Sequence, residues 1–391
     1  MSTGSTGFSL RPLASPDDWA AWRAELEPLE AAARPSPWAG WTYWEACARL
    51  LGHHDCWALE ARQGDRLAGA TVLRGETVRR RGLALRTLRA FDQVSFMRVP
   101  AFLALPGQEA AAAGALADAW LEAARRARAD LVTLFRQDRA TCEPLADALA
   151  ARGPVLRRST WTHAAQILLP DDLDGHLKAY RANLVRNVER TRRKLSRDER
   201  AEPGLELLDC AALSPEAWTA TRARFDALDR RTWQHDWEAR SERVDLDRTR
   251  AFDAACRELW RSRGWLHLAF LTLPSAAGAP RDLALAVSLS LPDRVWVVRV
   301  GYDPAFRAYS PGGALLLELL RTGHARGARV FELGGEVLGW KKRWADAYED
   351  VRRLEWGGPT WKGRLWSLAQ RVRPSTPRPV GEAPPAARDP T

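Results

Sequence analysis

Lysine is nearly missing from this chain: of its 59 basic residues only Lys178, Lys194, Lys341, Lys342 and Lys362 are lysine, and arginine supplies the rest. Arginine stays charged in proteins, whereas lysine can give up a proton or act as a compact point charge toward phosphate. The adjacent Lys341 and Lys342, set between Trp340 and Trp344, are therefore conspicuous. Cysteine is scarce too. Cys47, Cys56, Cys142, Cys210 and Cys256 show no C-x-x-C spacing and are odd in number, which fits reduced thiols better than a disulfide framework. H-E-x-x-H, H-x-E with P-C-x-x-C, and G-x-S-x-G are all absent. His53 and His54 beside Asp55 and Cys56 have no second ligand cluster at structural-site spacing, so no metal is expected. No run approaches the ~18–20 apolar residues of a spanning helix. Met1-Ser2-Thr3-Gly4 lacks the charged-then-apolar order of a leader, and a cytoplasmic protein is expected.

What is present is length and apolar content enough for two cores: 391 residues, 46% hydrophobic, with net charge +10. Residues 1–8 and the Pro-rich 374–391 are expected to be disordered, with domains over 9–153 and 154–373 between them. The first domain reads as helix, helix, strands, helix, strand, helix. Trp38–Leu51 is an amphipathic helix, Cys56–Arg62 and Leu67–Arg74 are strands joined at Gly64, Leu83–Phe91 continues the sheet, Glu109–Ala129 is a helix and Leu131–Phe135 a strand. The order recurs over Trp265–Leu273, Leu283–Leu291, Val295–Val300, a helix at Leu315–His324, and Val330–Leu333, which suggests duplication.

Within the second copy, a strand (V-W-V-V-R-V) leads through Gly301-Tyr302-Asp303-Pro304 to Ser310-Pro311-Gly312-Gly313 and an apolar-periodic helix. A strand feeding through glycines into a helix aims unpaired backbone N–H groups at one place, which suits an anion; an ordinary helix cap has the same sequence signature. The first copy has Pro100 and Pro106-Gly107 instead, and reads as a degenerate unit that shapes the acceptor side.

These motifs occur with Val330-Phe331-Glu332-Leu333-Gly334-Gly335 and Trp340-Lys341-Lys342-Arg343-Trp344, and upstream with a basic helix at 176–197 and a basic, Trp-bearing segment at 225–240. Together, over about 155–356, they resemble the GNAT-fold acyltransferases of the CelD type, related to FemAB-type transferases. That resemblance implies an α/β protein of two tandem GNAT-like domains, mixed and mostly antiparallel sheets flanked by helices. It implies an N-acyltransferase moving an acyl group from acyl-CoA to an amine on a small molecule or glycan precursor, such as an amino sugar or cell-envelope precursor. Arg307, Ser310, Gly312, Gly313 and Ala314 would then cradle the coenzyme A diphosphate, with Ser310 standing where the family has a glycine. Glu332, where the family usually has Asp, is either a base or acceptor ligand, or the ion-pair partner of Arg329 or Arg343. Tyr302 either protonates the departing thiolate or packs. Lys341 and Trp340, with Trp233 and Asp236 from the W-Q-H-D-W cluster, are the candidate acceptor contacts.

Two alternatives remain open in the sequence. Arg181, Arg186, Arg190, Arg193, Lys194 and Arg197 could follow a phosphate backbone, which suits an aminoacyl-tRNA donor, or could form the solvated face of a helix buried through Leu184, Val188 and Leu195. Trp361, Leu365, Leu368 and Val372 lie at helical spacing among basic residues, which suits peripheral membrane association or, the preferred expectation, packing onto the second domain. A non-catalytic accessory role in polysaccharide synthesis is the third class.

Overall fold

The computed structural model describes residues 6–51, 55–80, 82–91, 98–232, 246–275, 280–334 and 339–372. The chain divides into two compact units, one holding the residues up to Ala164 together with those from Glu349 onward, the other Ala165–Tyr348.

In the first unit the elements run β1 (Gly7–Pro12), α1 (Pro16–Ala32), α2 (Trp41–Leu51), β2 (Cys56–Gln63), β3 (Arg66–Arg80), β4 (Leu83–Ala90), the short β5 (Leu103–Ala104), α3 (Glu109–Arg126), β6 (Leu131–Asp138) and α4 (Arg139–Ala150). Helix α1 starts where a capping box allows it: the Ser15 side chain accepts from the Asp18 N–H, Asp18 returns the bond, and Pro16 occupies the first turn. Strands β1 to β4 form an antiparallel meander, and α3 crosses over to β6, which lies parallel to β4. The alanines of α3 bury one side of the helix, around Leu116 and Trp120. Trp120 meets Trp356 edge to face at 5.8 Å, and Trp19, Trp22, Trp41 and Trp44 form a second aromatic cluster, so much of this chain's tryptophan is core.

The second unit repeats this order. After β7 (Leu156–Leu168) come α5 (Leu173–Tyr180) and α6 (Ala182–Glu199), then β8 (Gly204–Asp209), α7 (Pro215–Asp229), α8 (Leu246–Ser262), β9 (Leu266–Leu273), β10 (Arg281–Leu291), β11 (Arg294–Tyr302), α9 (Pro311–Ala325), β12 (Val330–Gly334) and α10 (Gly339–Trp344). Strands β8 to β11 are antiparallel neighbours, and α9 crosses over to β12, parallel to β11. Strand, two helices, three strands, crossover helix and parallel strand therefore occur twice: the fold is two tandem GNAT-like units with mixed, mostly antiparallel sheets. The α5–α6 pair precedes the second copy.

Each copy is completed by a strand that spans the division. The last residues of β7, Ala165–Leu168, pair antiparallel with β12, and β13 (Ala347–Gly357) returns so that Val351–Gly357 pair with β6. This moves the expected boundaries. The division falls at Ala164 rather than at 153–154, and 349–372 belong with the first unit rather than the second, because sheet hydrogen bonds outrank chain order. Gly7 and Phe8, expected to be disordered, open β1 and pair with Arg62 and Ala61.

The final helix, α11 (Trp361–Val372), packs within the first unit, not onto the second as expected. Gly363 lies so close that a Cβ there would fall on the backbone oxygens of Gly358 and Asp130, and Lys362 donates to the Ala84 carbonyl at 2.8 Å. Because these obstacles are backbone, no rotamer change relieves them. Gly363→Ala should cost about 1–3 kcal/mol, read as a lower urea midpoint together with faster proteolysis of the 358–364 segment.

Candidate functional site

Strand β11 is paired on both sides only at its beginning. Its ladder with β12 consists of Arg294 with Val330, Val295 with Phe331 and Trp296 with Glu332. Beyond that point no ladder pair joins the two strands among the described residues, while β11 continues to Tyr302 against β10. Opposite Val287 and Ser288 the register shifts, with Arg299 and Val297 as their partners, so Val298 is an extra, bulged residue. Val295, Trp296 and Val297 are buried, whereas Val298, Arg299 and Val300 are half-buried. Among the described residues, β11 therefore has no ladder partner in β12 from Val297 onward, and its backbone groups there are of the kind that can hold a polarised carbonyl.

The turn beyond Tyr302 brings the start of α9 to the same end of the strand. A 3-10 turn over Pro304–Tyr309 leads to Ser310, which adopts the left-handed conformation at φ 50°. A glycine would take that conformation without steric cost. The Gly313 and Ala314 amides both turn onto the Ser310 carbonyl, at 3.0 and 3.1 Å, whereas the Gly312 amide donates to no backbone carbonyl among the described residues. Of the four amides expected to cradle an anion, three are already engaged, since the Ser310 amide donates to the Arg307 carbonyl at 3.1 Å. The glycines also serve packing: a Cβ on Gly312 would stand 3.4 Å from the Tyr302 ring, and one on Gly313 3.3 Å from Val188 of α6.

Helix α6 lies alongside. Val188 and Leu195 are buried, as the apolar stripe requires, and ion pairs Arg192–Glu318 at 3.1 Å and Arg321–Glu189 at 3.7 Å fasten α6 to α9. Its outer face and the 3-10 turn enclose a hollow of about 480 Å³ lined by Arg190, Thr191, Arg193, Lys194, Arg197 and Ala308. Among the described residues Arg190, Arg193 and Lys194 form no ion pair; Lys194 instead lies 5.5 Å from the Tyr309 ring centre. The Tyr309 hydroxyl donates to Asp198 at 3.1 Å, and that bond, with some desolvation, holds its pKa above the ordinary tyrosine value. A second hollow of about 760 Å³ has Arg181, Arg186 and Arg343 among its lining residues. The basic helix was legible in the sequence; its position over the start of α9 was not.

The remaining candidates part company. Glu332 is fully buried in β12, and its Oε1 accepts from Arg294 and, at 3.0 Å, from Gln166. The ion-pair partner is therefore Arg294 rather than Arg329 or Arg343, and the carboxylate joins β7, β12 and β11. Lys341 is buried too, donating from Nζ to the Gly334 carbonyl at 2.7 Å and lying 5.7 Å from the Trp340 ring centre. That contact secures the end of β12. Tyr302 is half-buried against the core, and Arg307 is exposed on the 3-10 turn. Trp233, His235, Asp236 and Trp237 lie outside the described residues, as do His53 and His54.

Thiol catalysis is poorly supplied. All five cysteines are buried and in no disulfide, and burial pushes Cys56, Cys142 and Cys210 up to about 12, where the nucleophilic thiolate is rare at neutral pH. Among the described residues no group of three or more His, Cys, Asp or Glu is placed to hold a metal.

Residues 182–342 match the acetyltransferase (GNAT) domain family. Among solved structures the chain is similar to FemX, 10% identical over 88% of this chain and 98% of that one, with a TM-score of 0.58. It is also similar to the C-terminal domain of a candidate lysylphosphatidylglycerol synthetase from Agrobacterium fabrum, 12% identical over 90% and 95% of the two chains, TM-score 0.52. At such identities the likeness is one of fold. No curated protein sequence matches the chain.

The buried pair gives a direct test. Arg294→Ala removes the ion-pair partner of the Glu332 carboxylate and should cost ~3–5 kcal/mol, whereas removing both charges in Arg294→Leu/Glu332→Leu should recover a large part of it, as measured by urea unfolding. The strand β11 and the adjoining helix start both fall within the segment 182–342 that matches the acetyltransferase (GNAT) domain family, and the protein is an acyltransferase.

Proposed function

We propose that the protein is an N-acyltransferase whose donor is an acyl-CoA bound in the second unit. The observation that carries this reading is the placing of three features at one end of β11: the splay after Trp296, the first turn of α9, and the cationic hollow of α6 beside Ala308. A CoA thioester has three matching parts. Its carbonyl would lie along the open edge of β11 around Val298, where an amide can hold the oxygen as negative charge develops. Its diphosphate would lie at the Gly312 amide, with Arg307 exposed on the preceding turn and Arg193 and Lys194 across from it. The first turn of α9 contains no acidic residue, so nothing there repels an anion.

The chemistry asks little more of the protein. The acceptor nitrogen attacks the thioester carbon, the C–S bond breaks, the amine sheds a proton and the thiolate gains one. Most of the rate advantage comes from holding the two reactants in register. Tyr302, at the end of the splayed strand, is the proton donor we assign to the thiolate. Glu332 is left out of proton transfer because of its burial. The acceptor class, an amino sugar or cell-envelope precursor, follows from the CelD-type order of motifs around Glu332 and Trp340–Trp344.

A specific observation supports a second donor. The exposed cations Arg186, Arg190, Arg193, Lys194 and Arg197 continue along α6 beyond what one diphosphate needs, as an aminoacyl-tRNA would require. Calorimetry separates the two. Native protein should bind coenzyme A, and Arg193→Glu/Lys194→Glu should weaken that binding by at least about tenfold, or ~1.4 kcal/mol, without loss of folding. Absence of coenzyme A binding together with salt-sensitive binding of charged tRNA would replace the first reading by the second.

A further inference from the structure

Helix α11 presents two unlike faces. One carries Gly363, pressed against Gly357 and Gly358. The opposite face exposes Trp361, Leu365 and Leu368, at 66%, 55% and 57% of their free surface, three large apolar side chains one above another at helical spacing. Exposed Arg364 and Arg371 run along one side of this stripe, Lys362 lies on the other, and the helix contains no acidic residue. The tip of the β3–β4 hairpin adjoins it through the bond from Lys362 to the Ala84 carbonyl, and adds exposed Leu83, Arg79 and Arg86. At 12 residues the helix is about 18 Å long, well short of the ~30 Å hydrocarbon core. No helix among the described residues is long and apolar enough to cross a membrane.

We propose that this face of α11 is a membrane-docking surface that lies in the headgroup region of an anionic bilayer. The charge pattern selects the occupant. The exposed Arg364 and Arg371 bordering an apolar stripe complement anionic headgroups, while tryptophan and leucine enter the boundary beneath them. Pairing of α11 with its counterpart in a second copy would bring like-charged borders together. The chain's own continuation, residues 374–391, has a single large apolar residue, Val380, and no aromatic, too little to cover three such side chains. The proposal is independent of the acyl donor, since no α11 residue belongs to the site in the second unit.

Co-sedimentation with vesicles tests it. Full-length protein should pellet with phosphatidylglycerol-containing vesicles at low salt and remain in solution with pure phosphatidylcholine vesicles. Leu365→Ser/Leu368→Ser should lower the bound fraction at least about tenfold, and Arg364→Glu/Arg371→Glu should abolish binding at low salt. Trp361→Ala alone should give a smaller loss. Since all these side chains are exposed, melting temperatures and acyl transfer to a water-soluble acceptor should stay at native values. Native protein that ignores anionic vesicles would overturn the proposal, as would binding unchanged by the serine pair. So would a native dimer in analytical ultracentrifugation that the serine pair dissociates, which would give the surface to a second copy.

Discussion

The parting of β11 and β12 after the Trp296–Glu332 pair is the constraint on which the functional geometry depends. Up to that point the strands are held by ladder bonds and by the buried Glu332 carboxylate, which receives Arg294 and Gln166. Past it the Val298 bulge adds twist to β11, and the strands diverge. A continuous parallel ladder would satisfy these backbone groups within the sheet; among the described residues β12 does not, and the proposed donor site rests on that. The buried charge, which costs desolvation energy, thus lies at the last ladder pair.

Comparison of the two copies shows what the splay adds. In the first, β4 runs against β3 without a register shift, and the ladder to β6 reaches Arg89, leaving only Ala90 of the strand beyond it. The helix that follows differs in charge as well. Glu109 sits in the first turn of α3 and accepts from the Gly107 amide at 3.2 Å, so that helix start already has its anion. The first turn of α9 has none, and the unneutralised cations of α6 stand beside it. One topology thus places an acidic residue at the helix start in one copy and none in the other, where a bulge and an added basic helix adjoin it.

The elements that bury an apolar stripe or face were legible from the sequence: β2, the three strands β9 to β11, α3 and α9 all fall within a few residues of expectation. One of the missed strands has a polar interior. Strand β13 reads A-Y-E-D-V-R-R-L-E-W-G, and its Glu355 is buried among Arg80, Arg157 and Arg353, so charge replaces the alternation that marks a strand. Strand β1 is short and takes its register from β2. At the site the glycine turn and the basic helix could be read, but not their contact through Val188 and Gly313, which is tertiary. The burial of Glu332 and Lys341, and the strand contacts each makes, could not be read from a charged residue beside glycines.

The assignment of the donor to the splayed strand has one most direct test, amide hydrogen exchange with and without coenzyme A. The account predicts slower exchange in peptides covering 297–301 and 311–314, with no change over 105–112 in the first copy. Protection confined to 105–112, with 297–314 exchanging as in the free protein, would contradict it.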